Sequence, residues 1–263
     1  MWYFLILLFL GLTLFVWSRR LLNYQKEIFR WHCEKVYPFD KKMSKKELKY
    51  VQDCIEISWW ECLRPLFLFW DEMLPRLSFF CYSQRVDGDK MNKSRMAYGS
   101  LMRPGATYEF AKPVLEERKI QLPLQPGGNL AFGGLGWDIE EGHLKVYYRF
   151  HDFQKLPEVY KKLMTDGGTD TCAPQGILSW TFQGSALIET KVYRYPSSEK
   201  EAHLYSATRK DVQTDCSMDD TWQDKVNEKG QEIIALYGEK KLYLDTITVK
   251  DKDHFTLYFP QAM

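Results

Sequence analysis

The first seventeen residues of the chain contain no charged side chain, and the run ends at Ser18-Arg19-Arg20. Extended by Leu21 and Leu22, with the arginines snorkelling, it covers about the 20 residues a helix needs to cross ~30 Å of hydrocarbon. Two absences separate it from a cleaved export signal: no basic segment precedes the apolar run, and no small-x-small cleavage site follows Trp17. Residues 1–22 are therefore expected to form a retained transmembrane anchor, with the lipid membrane as the first partner. Positive charge lies after the span and continues through Lys26, Arg30 and Lys35. By the positive-inside rule, the bulk of the chain is expected on the cytoplasmic side of a single-pass protein.

Other absences narrow the chemistry. A formal net charge of +1 offers no electrostatic basis for binding nucleic acid. The six cysteines, Cys33, Cys54, Cys62, Cys81, Cys172 and Cys216, contain no C-x-x-C pair and no regular spacing with histidine, so they read as free thiols without a zinc site or a redox motif. His32, His143, His151, His203 and His254 lack metal-ligand spacing, and His151-Asp152 reads as a solvated turn before it reads as an acid–base pair. Gly133-Gly134-Leu135-Gly136 leads into a strand, without the helix N-terminus a dinucleotide loop requires. No serine or cysteine sits in a nucleophile elbow. The sequon at Asn92 would matter only if the domain faced a lumen. Which cofactor, if any, the chain uses is unknown from the sequence.

What is present falls into three parts, an anchor (1–22), a membrane-proximal helical segment (23–96) and an α+β domain (97–263). The middle part begins polar, with a basic cluster at Lys41, Lys42, Lys45, Lys46 and Lys49 that can lie on anionic headgroups or in solvent. It then turns apolar over residues 55–82. Glu61, Arg64, Asp71, Glu72 and Arg76 interrupt that stretch, and Pro65 and Pro75 break it, so it reads as kinked interfacial helices or as the contact for a membrane-protein partner.

The third part repeats a helix followed by a hairpin. Helical spacing over 107–119, 156–164 and 217–237 alternates with strand pairs at 135–139 and 143–150, 177–183 and 186–195, and 242–249 and 254–259. The expected fold is α+β, an antiparallel sheet with helices packed on one face. Because residues two apart share a strand face, Lys145, Tyr147 and Arg149 lie together, as do Lys191, Tyr193 and Tyr195, and His254 and Tyr258. Such a face is either the wet side of the sheet or, if the sheet curls, a cup. In a cup these eight residues would bind an anionic group such as a phosphate or diphosphate, with tyrosine rings against a flat or cationic moiety.

The Lys-x-Tyr strands, Lys145-Val146-Tyr147, Lys191-Val192-Tyr193 and Lys241-Leu242-Tyr243, resemble those of the aromatic prenyltransferases built on an antiparallel barrel. That resemblance implies a transferase holding an isoprenoid diphosphate beside an aromatic acceptor in a barrel lumen. The sequence shows three hairpins against the five of that family's ten-stranded barrel. Three functions are thus expected: a membrane-anchored domain binding a hydrophobic small molecule or a membrane partner, a prenyltransferase, or a structural accessory subunit of a membrane complex.

Overall fold

A computed structural model describes residues 2–35, 39–57, 80–99, 104–164, 172–196, 206–207, 212–213, 220–237, 246–251 and 254–260. Helix α1 (Trp2–Lys35) is continuous for 34 residues. Trp2, Tyr3, Leu5, Ile6, Leu8, Phe9, Leu10, Leu12, Phe15 and Val16 are all exposed on it. Farther along, Phe29 and Cys33 pack on the protein core, and the Phe29 ring meets Tyr98 edge-on at 6.1 Å. Among the described residues no helix is long and apolar enough to cross a membrane; several side chains of α1 lie outside them.

The α+β expectation holds. Eight strands form one antiparallel sheet: β1 (Phe80–Asp87), β2 (Lys90–Tyr98), β3 (Leu130–Asp138), β4 (Leu144–Phe150), β5 (Cys172–Gln183), β6 (Ala186–Pro196), β9 (Thr246–Asp251) and β10 (His254–Pro260). Their spatial order is β6-β5-β4-β3-β2-β1-β10-β9. Two-residue strands β7 (Ser206–Ala207) and β8 (Val212–Gln213) pair separately. The helices after α1 are α2 (Phe39–Lys42), α3 (Lys45–Ile57), α4 (Pro104–Glu117), α5 (Glu158–Lys161) and α6 (Asp220–Tyr237). All three expected hairpins form, as β3–β4, β5–β6 and β9–β10.

The sheet also contains a fourth hairpin, at residues 80–98, where the sequence reading expects membrane-proximal helix. Asp87 pairs with Lys90 across the two-residue loop Gly88-Asp89, and Gly88 takes φ +62°, a left-handed conformation that glycine adopts without steric cost. This hairpin joins the first and last parts of the sheet, because β1 pairs with β2 on one side and β10 on the other. The rest of the apolar stretch, 58–79, lies outside the described residues, as do Lys241 to Tyr243 of the third Lys-x-Tyr strand.

One face of the sheet is core. Tyr82, Met96, Phe132, Leu135, Trp137, Leu144, Val146, Tyr148, Leu178, Trp180, Phe182, Phe255 and Leu257 are buried there with Tyr50, Val51 and Cys54 of α3 and Ala111, Val114 and Leu115 of α4. Helix α3 starts in a capping box: Ser44 Oγ accepts from the Glu47 N–H at 3.2 Å, and the Glu47 carboxylate accepts from the Ser44 N–H at 2.9 Å. The other oxygen of this buried carboxylate binds Arg118 at 2.6 Å and accepts from Trp137 Nε1 at 3.1 Å. One side chain thus fixes the start of α3, the end of α4 and strand β3. Cys33 is half-buried and Cys54 buried, and burial pushes the Cys54 thiol up to about 12.

Candidate functional site

The opposite face of the sheet carries the polar residues singled out in the sequence. Register places Lys145 opposite Thr181, Tyr147 opposite Ser179 and Arg149 opposite Ile177 on β5, and these in turn face Glu189, Lys191 and Tyr193 on β6. This face is not wet. Lys145 is 1% exposed, and Tyr147, Arg149, Lys191, Tyr193 and Tyr258 are half-buried.

Curling of the sheet explains the burial. Tyr193 on β6 and Tyr258 on β10 are six strand positions apart, which in a flat sheet would separate them by about 29 Å at ~4.8 Å per strand. Instead they are close enough to interact: burial raises the Tyr193 phenol most, Tyr258 and then Tyr147 add to it, and Tyr258 adds likewise to the effect of burial on Tyr147. The polar side is therefore the inside of a half-barrel, and the helices pack on its outside.

At the centre, Lys145 Nζ sits over two rings, 5.5 Å from the centroid of Tyr147 and 5.7 Å from that of Tyr193, and donates a long 3.4 Å hydrogen bond to Tyr193 Oη. Two glycines of β3 shape this floor. A Cβ on Gly136 would stand 2.9 Å from Tyr147 Cε2, so only glycine there lets the ring lie across β3. Gly134 takes φ +149° in a bulge pressed against the Tyr98 carbonyl, so the Gly133-Gly134 pair serves close strand approach.

The surrounding charges are mostly paired. Arg95 Nε binds Asp138 Oδ1 at 2.5 Å and its Nη1 reaches Tyr147 Oη at 3.4 Å; Lys191 binds Glu189 at 2.8 Å. Burial, then the like charges of Arg95 and Lys191, hold the Lys145 ammonium well below the ordinary lysine range, with Glu189 and Asp138 acting in the opposite sense. Burial pushes the Tyr147 phenol up to about 12 although Arg95 opposes this. Burial works against Glu189, yet Lys191 outweighs it and keeps its carboxyl below the usual range.

Of the eight residues expected in the site, the half-barrel brings together Lys145, Tyr147, Lys191, Tyr193 and Tyr258, with Arg149 farther along β4. The side chains of Tyr195 and His254 lie outside the described residues. Sequence reading missed Arg95, Asp138 and Ser179. Arg95 belongs to the hairpin read as helix, Asp138 closes β3 at a turn, and Ser179 is an ordinary serine until register sets it beside Tyr147. His151 is exposed, and Asp152 accepts from the Gln154 N–H at 3.0 Å as a local cap, consistent with a turn. Asp138, Glu141 and His143 offer ligand atoms within 4.8 Å of one another, but Asp138 is already engaged by Arg95.

No family model matches the chain, and no curated protein matches it either.

Proposed function

We propose that the protein is a membrane-anchored binding domain that takes a hydrophobic small molecule into its half-barrel at the cytoplasmic face. The observation that carries this reading is Lys145, buried beneath the inner face between two tyrosine rings and engaged by no carboxylate among the described residues. Burying an amine without an ionic partner is costly, and a fold retains such a group where a ligand uses it.

Helix α1 supports the membrane part. Ten large apolar side chains on its first half are exposed, each leaving up to about 1.5–3 kcal/mol of burial unrealised in water. At 1.5 Å per residue, Leu22 and Phe29 lie about 10 Å apart along the helix. Because Phe29 packs on Tyr98 of the sheet, this spacing would hold the half-barrel within a headgroup layer of the lipid. A ligand partitioned into the bilayer would then need only a short transfer.

A prenyl transferase would draw on the same basic and phenolic side chains. Binding is preferred because Asp138 and Glu189, two carboxylates of the inner face, are held by Arg95 and Lys191 and so are poorly placed to take an acceptor's proton. The subunit reading rests on residues 55–82, most of which lie outside the described residues.

The test uses the full chain in neutral detergent and N-phenyl-1-naphthylamine, an uncharged fluorophore. Saturable fluorescence enhancement is expected, and Ile177→Trp, which fills the inner face opposite Arg149 and Tyr193, is expected to abolish it with the circular dichroism unchanged. Enhancement equal in the two proteins would refute the reading. Alkaline carbonate extraction tests the anchor, which requires the chain to stay with the membrane pellet.

A further inference from the structure

We propose that the ligand carries an oxyanion head, a carboxylate or a phosphate, held by Ser179, Arg149 and Lys145. This rests on the inner face being a binding surface and specifies what it binds.

Ser179 is fully buried, and its Oγ has no hydrogen-bond partner among the described residues. Strand alternation points it to the inner face, opposite Tyr147 on one side and Lys191 on the other. Because Tyr147 lies between Lys145 and Arg149 on β4, Ser179 stands beside the midpoint of those two cations. Arg149 Nε is likewise buried and unpartnered, while Nη2 of the same guanidinium is fixed by Gln175 Oε1 at 2.8 Å. Lys145 Nζ makes only the long hydrogen bond to Tyr193 Oη among the described residues.

Three donors on adjacent strands therefore lack a good acceptor, and the two carboxylates nearest to them are occupied. A buried donor is normally satisfied by protein or by water, and unpaired donors grouped on one face mark the position of an absent acceptor. Two of the three are cationic groups, so the acceptor that complements them is negative. Serving a hydroxyl, an Nε–H and an ammonium at once takes several lone pairs, which a carboxylate or phosphate group provides. Tyr147, Tyr193, Tyr258 and Ile177 flank the donors with ring and aliphatic surface, suited to an apolar body attached to that head.

Calorimetric titration of the full chain in neutral detergent with octanoate, octyl phosphate, octanol and inorganic phosphate tests this. The two anionic amphiphiles are expected to bind at least tenfold more tightly than octanol. Ser179→Ala and Arg149→Gln, checked for unchanged circular dichroism, are expected to remove most of that preference and leave octanol binding as it was. Octanol binding as tightly as the acids would overturn the headgroup assignment while sparing the apolar site. Preference retained in both variants would overturn the assignment of these residues. Inorganic phosphate binding as tightly as octyl phosphate would make the site one for a free anion and overturn the amphiphile. Failure of all four to bind would overturn this inference together with the binding function.

Discussion

The Tyr50 hydroxyl bridges the two strands at the centre of the sheet, accepting from the Leu135 N–H of β3 at 3.1 Å while donating to the Tyr98 carbonyl of β2 at 2.7 Å. Tyr98 and Leu135 are the last paired residues of that ladder, so a side chain from α3 completes it where the Gly133-Gly134 bulge begins. Tyr50→Phe keeps the ring and strands two buried backbone groups, each normally worth about 1–3 kcal/mol when left unsatisfied. Thermal or urea unfolding of the detergent-solubilised chain is expected to show a loss of that order. A change below about 0.5 kcal/mol, the range of neutral surface substitutions, would mean that the ladder does not depend on the bridge.

Glu47 gives a second stability prediction, with an internal control. Arg118→Met leaves its buried carboxylate without the guanidinium and is expected to cost on the order of 3 kcal/mol. Glutamine at position 47 can still accept from the Ser44 N–H. The double variant Glu47→Gln/Arg118→Met is therefore expected to be more stable than Arg118→Met alone by urea unfolding. An additive double variant would deny the coupling.

Much of this architecture is legible in the sequence because hairpins are local. The β3–β4 and β5–β6 hairpins announce themselves by alternation around Gly142 and Gly184, both of which take positive φ. The first hairpin is obscured because 55–82 is dense in large apolar residues, and that density hides the Gly88-Asp89 loop, itself a recognised two-residue hairpin signal. Ser44-Lys45-Lys46-Glu47 likewise carries a capping-box spacing that composition alone buries under a run of lysines. Site residues follow the same logic. Lys145 and Tyr147 share a face by simple alternation, whereas their approach to Arg95 and Tyr258 depends on strand order and curl, which are set by contacts distant in sequence.

Gly136 tests how tightly the floor of the half-barrel is specified. Gly136→Ala places a Cβ 2.9 Å from Tyr147 Cε2 and 3.3 Å from Arg95 Cδ, forcing the ring off β3. Overpacking of this kind costs about 1–3 kcal/mol, and the displaced ring no longer lies under Lys145. The variant is expected to lose both stability and naphthylamine binding, whereas the companion Gly142→Ala, in a turn with open space around it but a φ of +67°, is expected to lose only stability. Unchanged binding in Gly136→Ala would show that the Tyr147 ring position does not matter to the ligand.

Lys145 sets the pH dependence. Its folded pKa is depressed, so above the unfolded lysine value of about 10.4 the amine is neutral in both states and imposes no penalty. As pH falls below that value the unfolded chain takes up a proton that the folded chain resists, and stability declines until the folded pKa is reached, by ~1.4 kcal/mol for each unit of depression. Lys145→Met removes this linkage. The variant is expected to be more stable than the native chain at pH 7, with the difference shrinking toward pH 9.5, a range that stays below the titration of Tyr147, pushed up to about 12. It should also lose its preference for octyl phosphate. A fold that gains stability when a buried lysine is deleted, and loses ligand at the same time, holds that lysine for binding. Equal loss of stability at both pH values would instead make Lys145 a structural residue.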